Sequence, residues 1–246
     1  MIVIENHGAI RELRLARPPV NALNPALISA LNEALEAAPA DGAEAIVLSG
    51  LPGLFSAGLD VRELASLDRD AMQRFLTDFQ RTQQLIAASP VPVVAAITGH
   101  CPAGGTVLAL FCDYRIMARG PFSIGLNEVQ VGLYPGEVIA NAFTRLVGSR
   151  RAADLLTRGA LIDSDAALAA GLVDELADPA AVVLRARDYA AGLLALPPNA
   201  YRRTRSLVRR ELSALFADSR EDLATVIAEH FFSDETRQRM AALLKK

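Results

Sequence analysis

Residues 93–111 restrict what this chain can fold into more than any other stretch. Residues 93–98 read as an apolar strand, Gly99 breaks it, and residues 103–111 read as a helix that is apolar on nearly every side. Both must be buried, so other elements have to surround them. Residues 3–6 and 10–15 alternate about a His7-Gly8 turn, which predicts a β-hairpin. Asn24 followed by Pro25 predicts a capped helix start, and Leu27, Leu31 and Leu35 continue that helix at a spacing of four. Residues 45–48 read as a short apolar strand running into a loop over 49–53. Residues 70–88 predict a long amphipathic helix, with Met72, Phe75, Leu76 and Phe79 on its apolar stripe. A strand over 113–117 and a helix around 143–157 follow, and from about residue 180 the pattern is helical. Strand–helix alternation with a helical tail predicts an α/β fold with an appendage.

Composition narrows the class. The chain has 246 residues, 52% hydrophobic and 22% charged, with 25 basic against 28 acidic residues for a net charge of −3. Disorder needs the opposite balance. Arg, Asp, Pro or Gly interrupts every apolar run before a membrane-spanning length of about 18 residues is reached. A mildly acidic chain lacks the basic concentration that holds nucleic acid. Two cysteines, Cys101 and Cys112, make no disulfide framework, and the start of the chain lacks the layout of a signal peptide, so the expected location is the cytoplasm.

Three segments could carry chemistry. The three histidines, His7, His100 and His230, are far apart, with no metal-ligand spacing, and no metal is expected. Nucleotide-binding glycine motifs and a serine nucleophile elbow are missing. What remains is two glycine loops and one carboxylate. Phe55-Ser56-Ala57-Gly58-Leu59-Asp60 and Gly99-His100-Cys101-Pro102-Ala103-Gly104-Gly105 can bring backbone close to a ligand. Two N–H groups aimed at one oxygen would form an oxyanion hole. Taken singly, each loop reads first as a tight turn. In residues 124–136, Glu128 lies among apolar residues and glycines, surroundings that raise a carboxyl pKa and suit a general acid or base. By composition alone it reads first as a surface glutamate.

In this order the segments resemble the enoyl-CoA hydratase/isomerase (crotonase) superfamily. Arg17-Pro18-Pro19-Val20-Asn21-Ala22-Leu23-Asn24, the two glycine loops, Cys112-Asp113-Tyr114-Arg115-Ile116 and Ala170-Gly171-Leu172-Val173-Asp174 carry the likeness. Residues 55–60, 99–105 and 124–128 are most similar to the mitochondrial-type Δ3,Δ2-enoyl-CoA isomerases. The resemblance implies a spiral of ββα units over residues 1–190 and a C-terminal helical region, 191–246, that packs into homotrimers or dimers of trimers. It also implies an acyl-CoA thioester substrate, with no cofactor beyond the coenzyme A that is part of it. The Leu59 and Gly104 N–H groups would hold the thioester oxygen. Ser56, Ala57, Gly58, Asp60 and Val61 would border the coenzyme, and Asn127 and Glu128 would lie at the reacting carbons.

Matching hydratases places Val107 where the first of their two catalytic glutamates would be. Adding water calls for two carboxylates, whereas moving a double bond from C3–C4 to C2–C3 needs one. The resemblance therefore implies an isomerase of fatty acid β-oxidation in which Glu128 alone shuttles the proton. The alternatives are another acyl-CoA enzyme on the same scaffold (hydratase, hydrolase or decarboxylase) or a non-catalytic thioester- or RNA-binding relative. Glu137 is the second choice for an acid/base. Asp113, His100, Asp60 and both cysteines are expected to serve structure. Arg202, Arg203, Arg205, Arg209 and Arg210 read as a charged helix face, or as contacts to coenzyme A phosphates. Leu133-Tyr134-Pro135-Gly136 resembles the hydratase-type turn more than the isomerase continuation, which leaves the acyl-pocket wall open.

Overall fold

The structure is a computed structural model that describes residues 1–219, 221, 222, 226 and 230–243. The hairpin forms as β1 (Ile2–His7) and β2 (Ile10–Leu15), antiparallel, with Ile2 opposite Leu15. β2 then opens a parallel series with β3 (Ala45–Ser49), β5 (Val93–Ile97), β7 (Tyr114–Ala118) and β10 (Glu175–Ala177), in the order β1-β2-β3-β5-β7-β10. Every residue of β3 and β5 is buried. Parallel central strands are covered on both faces, which is why they are apolar without alternation. Ile46, Leu48, Val93, Ala95 and Ile97 face the main core. Val47, Val94 and Ala96 face the other way, toward Val182, Ala186 and Ala190.

Each of the three middle strands leads into a short strand of a second sheet. These are β4 (Gly53–Leu54), β6 (Gly99–Pro102) and β8 (Ser123–Gly125), which β9 (Ile162–Asp163) extends in the order β4-β6-β8-β9. Of the helices α1 (Pro25–Ala40), α2 (Val61–Leu64), α3 (Arg69–Ala87), α4 (Gly104–Leu110) and α5 (Glu137–Val147), the last three complete the strand pairs in turn. This is the spiral of ββα units that the sequence resemblance implies. The start signals act as their chemistry dictates. The Asn24 side chain accepts from Leu27 N at 2.9 Å, with Pro25 in the first turn. Asp68 likewise caps α3, accepting from Ala71 N at 2.8 Å.

The structure corrects three expectations. Residues 99–102, expected as loop, form β6. The helix expected around 143–157 is two, α5 and α6 (Ser149–Arg158), divided at Gly148 with φ 78°. The basic stretch of the tail also splits. After α7 (Ser164–Ala170), α8 (Val182–Leu194), α9 (Pro198–Val208) and α10 (Arg210–Asp218), the described chain resumes in α11 (Asp234–Leu243). Arg205 forks onto Asp113 with bonds of 2.7 and 2.8 Å and donates to Ser89 O. Buried Arg209 donates to Phe111 O at 2.7 Å and to Ala87 O at 3.2 Å, at the C-terminal ends of α4 and α3. These two arginines fasten the tail to the core and are not free for coenzyme phosphates, while Arg202, Arg203 and Arg210 are exposed. Among the described residues no helix is long and apolar enough to cross a membrane.

Candidate active site

The connection before α1 shapes the first glycine loop. Asn21, fully buried, donates from Nδ2 to Leu15 O at 2.9 Å and to Phe55 O at 3.0 Å. Ser56 Oγ donates to Asn21 O at 2.8 Å and accepts from Gly58 N at 3.1 Å. Ser56 is therefore fully committed inside the protein and shapes the loop, rather than facing a ligand as expected. Asp60 accepts from Glu63 N at 3.0 Å as the cap of α2 and pairs with Arg17 at 2.8 Å. It orients its loop.

The two glycine loops meet. A Cβ on Gly58, whose φ is +88°, would lie 2.9 Å from the Ala103 Cβ and 3.2 Å from the Gly104 nitrogen. A Cβ on Gly104 would lie 3.4 Å from the Gly58 Cα and 2.9 Å from Leu23 Cδ1. Only bare backbone allows that approach. Two N–H groups are left over beside it. In the bridge between Leu23 and Leu59, Leu23 donates to Gly58 O and accepts from Asp60 N, so the Leu59 N–H is unused. Gly104 opens α4, and a first-turn N–H has no acceptor inside its own helix. Ala103 holds φ 47° without being glycine, backbone strain of a kind that concentrates at functional sites.

The same junction carries the carboxylate. Thr106 Oγ1 accepts from Gly125 N at 2.9 Å, and Ala103 N donates to Gly125 O at 2.8 Å, so the end of β8 is locked to the start of α4. Two residues later the chain turns into a 3₁₀ helix, Glu128–Val131, pinned by Gln130 Nε2 to Gly159 O at 2.8 Å. Glu128 opens it. Its Oε2 is buried with no hydrogen-bond partner. Burial pushes its pKa up from 4.5 to about 7, against the opposing pull of its own backbone N–H.

Leu59, Gly104, Val107 and Glu128 all line one cavity of about 150 Å3. Ala57, Gly58, Asp60, Val61 and Asn127 do not; they flank it through the loops that bear its lining. His100 accepts from Ser123 N at 3.1 Å and stays structural. Leu76 and Phe79 of the expected stripe join the wall, and residues the sequence did not single out complete it: Gln80, Gln83 and Ile139 from helices, Ser219, Glu221 and Phe231 from the tail. Glu221 is the second carboxylate here. It accepts from Tyr134 Oη at 2.9 Å and from Glu137 N at 2.7 Å, so both of its oxygens are taken. A lone acid in a helical tail gives no local signal of such a place. Glu137 is half-buried and accepts from Ser219 Oγ at 3.3 Å. Elsewhere, Glu5, His7 and Glu12 could offer three metal-ligand atoms, but the Arg187 guanidinium lies 2.8 Å from His7 Nδ1 and Ser49 donates to Glu12.

A buried carboxylate, a mainly apolar wall and two unused N–H groups on residues of one cavity suit proton transfer next to a carbonyl. Comparison with known proteins agrees with that class. Residues 5–246 match the family model described as enoyl-CoA hydratase/isomerase. The chain is 31% identical over 225 residues to the mitochondrial enoyl-CoA delta isomerase 1 of Mus musculus, covering 89% of this chain and 78% of that one. It is equally, 31%, identical over 247 residues to a probable enoyl-CoA hydratase of Rhizobium meliloti (strain 1021), covering 100% and 95%. The crystal structure of human mitochondrial delta3-delta2-enoyl-CoA isomerase superposes with a TM-score of 0.93 at 28% identity, covering 99% and 96%.

Proposed function

The chain belongs to the enoyl-CoA hydratase/isomerase family, and from that premise we propose that this enzyme is a Δ3,Δ2-enoyl-CoA isomerase. The observation that carries the reading is that, among the described residues, the one unpartnered carboxylate oxygen of the wall is the buried Oε2 of Glu128, in a wall that also holds Val107. Glu128 abstracts the C2 proton of a 3-enoyl-CoA. Charge moves onto the thioester oxygen, where the Leu59 and Gly104 N–H groups stabilise the dienolate. Glu128, now protonated, returns the proton at C4. The net change is one double bond moved, with no water consumed.

A base near pH 7 is matched to that double duty, since it must take and release a proton at similar cost. Coenzyme A, bordered by residues 57–61, is part of the substrate, Asn127 lies with Glu128 at the reacting carbons, and no further cofactor is required. Residues 191–246 supply trimer contacts in this reading, and the setting is fatty acid β-oxidation in the cytoplasm. Hydration is the main competitor, because a hydratase-named relative is as similar as an isomerase-named one. Its chemistry calls for a second ionisable group beside the reacting carbons. The test is incubation with a 3-enoyl-CoA and, separately, a 2-enoyl-CoA. Conjugation of the first without hydration of the second is expected. Hydration of the second at a comparable rate would refute the reading.

A further inference from the structure

Among the described residues, Gln83 is a buried polar side chain of the cavity wall to which isomerisation gives no work. It stands on α3 four residues after Phe79, is 3% exposed, and lines the cavity, yet its amide meets no hydrogen-bond partner among the described residues. Its neighbour Thr82, equally buried, shows the contrast: that hydroxyl donates to Asn32 Oδ1 at 2.7 Å. What little surface Gln83 keeps opens onto the cavity it lines, so its amide is available to a ligand group there. Gln80, three residues earlier, lines the same wall, while Leu76 and Phe79 beside them are apolar. A hydrocarbon chain in this cavity would give the Gln83 amide nothing to bond, whereas half-buried Gln80 can still reach water.

We infer that Gln83 is a specificity-determining residue that selects acyl chains bearing a neutral oxygen function, a hydroxyl or carbonyl, beyond the reacting double bond. This deepens the proposed function and rests on its reading of the cavity as the acyl site. The ligand group is neutral because the amide offers both a donor and an acceptor but no charge. Among the described residues the wall holds the carboxylates of Glu128 and Glu221 and no cation, so a carboxylate would meet like charge there. The proton shuttle is unaffected in kind, since the dienolate charge and both carbons between which the proton moves lie at the thioester end.

The test is calorimetric binding of unreactive saturated esters: hexanoyl- and octanoyl-CoA against their ω-hydroxy counterparts. It uses the wild-type chain and Gln83→Met, which keeps the volume and removes the hydrogen bonds. Wild type should bind at least one hydroxylated ester tighter than its plain partner, on the order of tenfold. The substitution should abolish that preference, and the wild-type comparison stands by itself should the variant not fold. Equal or weaker binding of both hydroxylated esters by wild type, or a preference retained in Gln83→Met, would overturn the inference and leave the isomerase untouched. No binding of any ester would sink the acyl-site reading, and the inference with it.

Discussion

Glu128→Gln separates chemistry from stability at one atom. The folded carboxyl titrates at about 7 and the unfolded one near 4.5. Between those values the folded state binds the extra proton. The contribution of Glu128 to stability is therefore full below about 4.5 and is lost as pH rises through about 7. Integrating the two titrations, the loss between about pH 5.5 and about pH 8.5 is about 2 kcal/mol. Glutamine fills the same space and has nothing to titrate, so Glu128→Gln should become more stable than wild type by that increment. Urea denaturation of both proteins at the two pH values reads it directly. Turnover runs the other way: kcat/KM of wild type should climb with pH through a midpoint near 7, and the variant should lose about 10²–10⁴-fold. Parallel stability curves, together with a rate limb near the ordinary carboxylate value, would mean that Glu128 is a solvated surface acid.

Other perturbations probe the supports of the site. Gly58→Ala pushes a methyl against Ala103 and the Gly104 nitrogen at a position of φ +88°. It should cost about 1–3 kcal/mol and lower kcat/KM at least about tenfold, seen in melts and steady-state rates. Asp113→Ala strips the half-buried Arg205 and the buried Arg209 of their carboxylate and frees Val93 N. A loss of about 3 kcal/mol in urea is expected, against under about 1 kcal/mol for a merely superficial pair. Cys101 and Cys112 are buried, and burial pushes both thiols up, Cys112 to about 12. Neither should react with a thiol reagent at pH 8 until the chain is unfolded.

Local chemistry wrote parts of this fold plainly. Asn24 with Pro25, the stripe on α3 and the unbroken apolarity of β5 each reflect a rule spanning a few residues. Glu128 is less plain: by composition it reads first as a surface glutamate, and only the family resemblance of the motifs around it singles it out. The second sheet was not legible, because β4, β8 and β9 are two or three residues long, too short for any period to register. Its strands exist because partners distant in sequence align them. Gly148 was passed over because the apolar spacing continues on both sides of it. The tail misled most. Arg205 and Arg209 look like any charged helix face until Asp113 and the ends of α3 and α4 arrive beneath them, and Glu221 matters only because Tyr134, 87 residues away, lies against it.

That last contact has a consequence for how the cavity reports its own contents. Ser219, Glu221, Val226 and Phe231 are wall, so whatever fills the cavity touches the tail as well as the core. A ligand that needs those tail contacts to bind would, at a hundred times its dissociation constant, add about 2.7 kcal/mol to holding the tail in place. Occupancy is thereby written onto the far end of the chain, where the cutting rate of a protease would read it without any assay of the double bond.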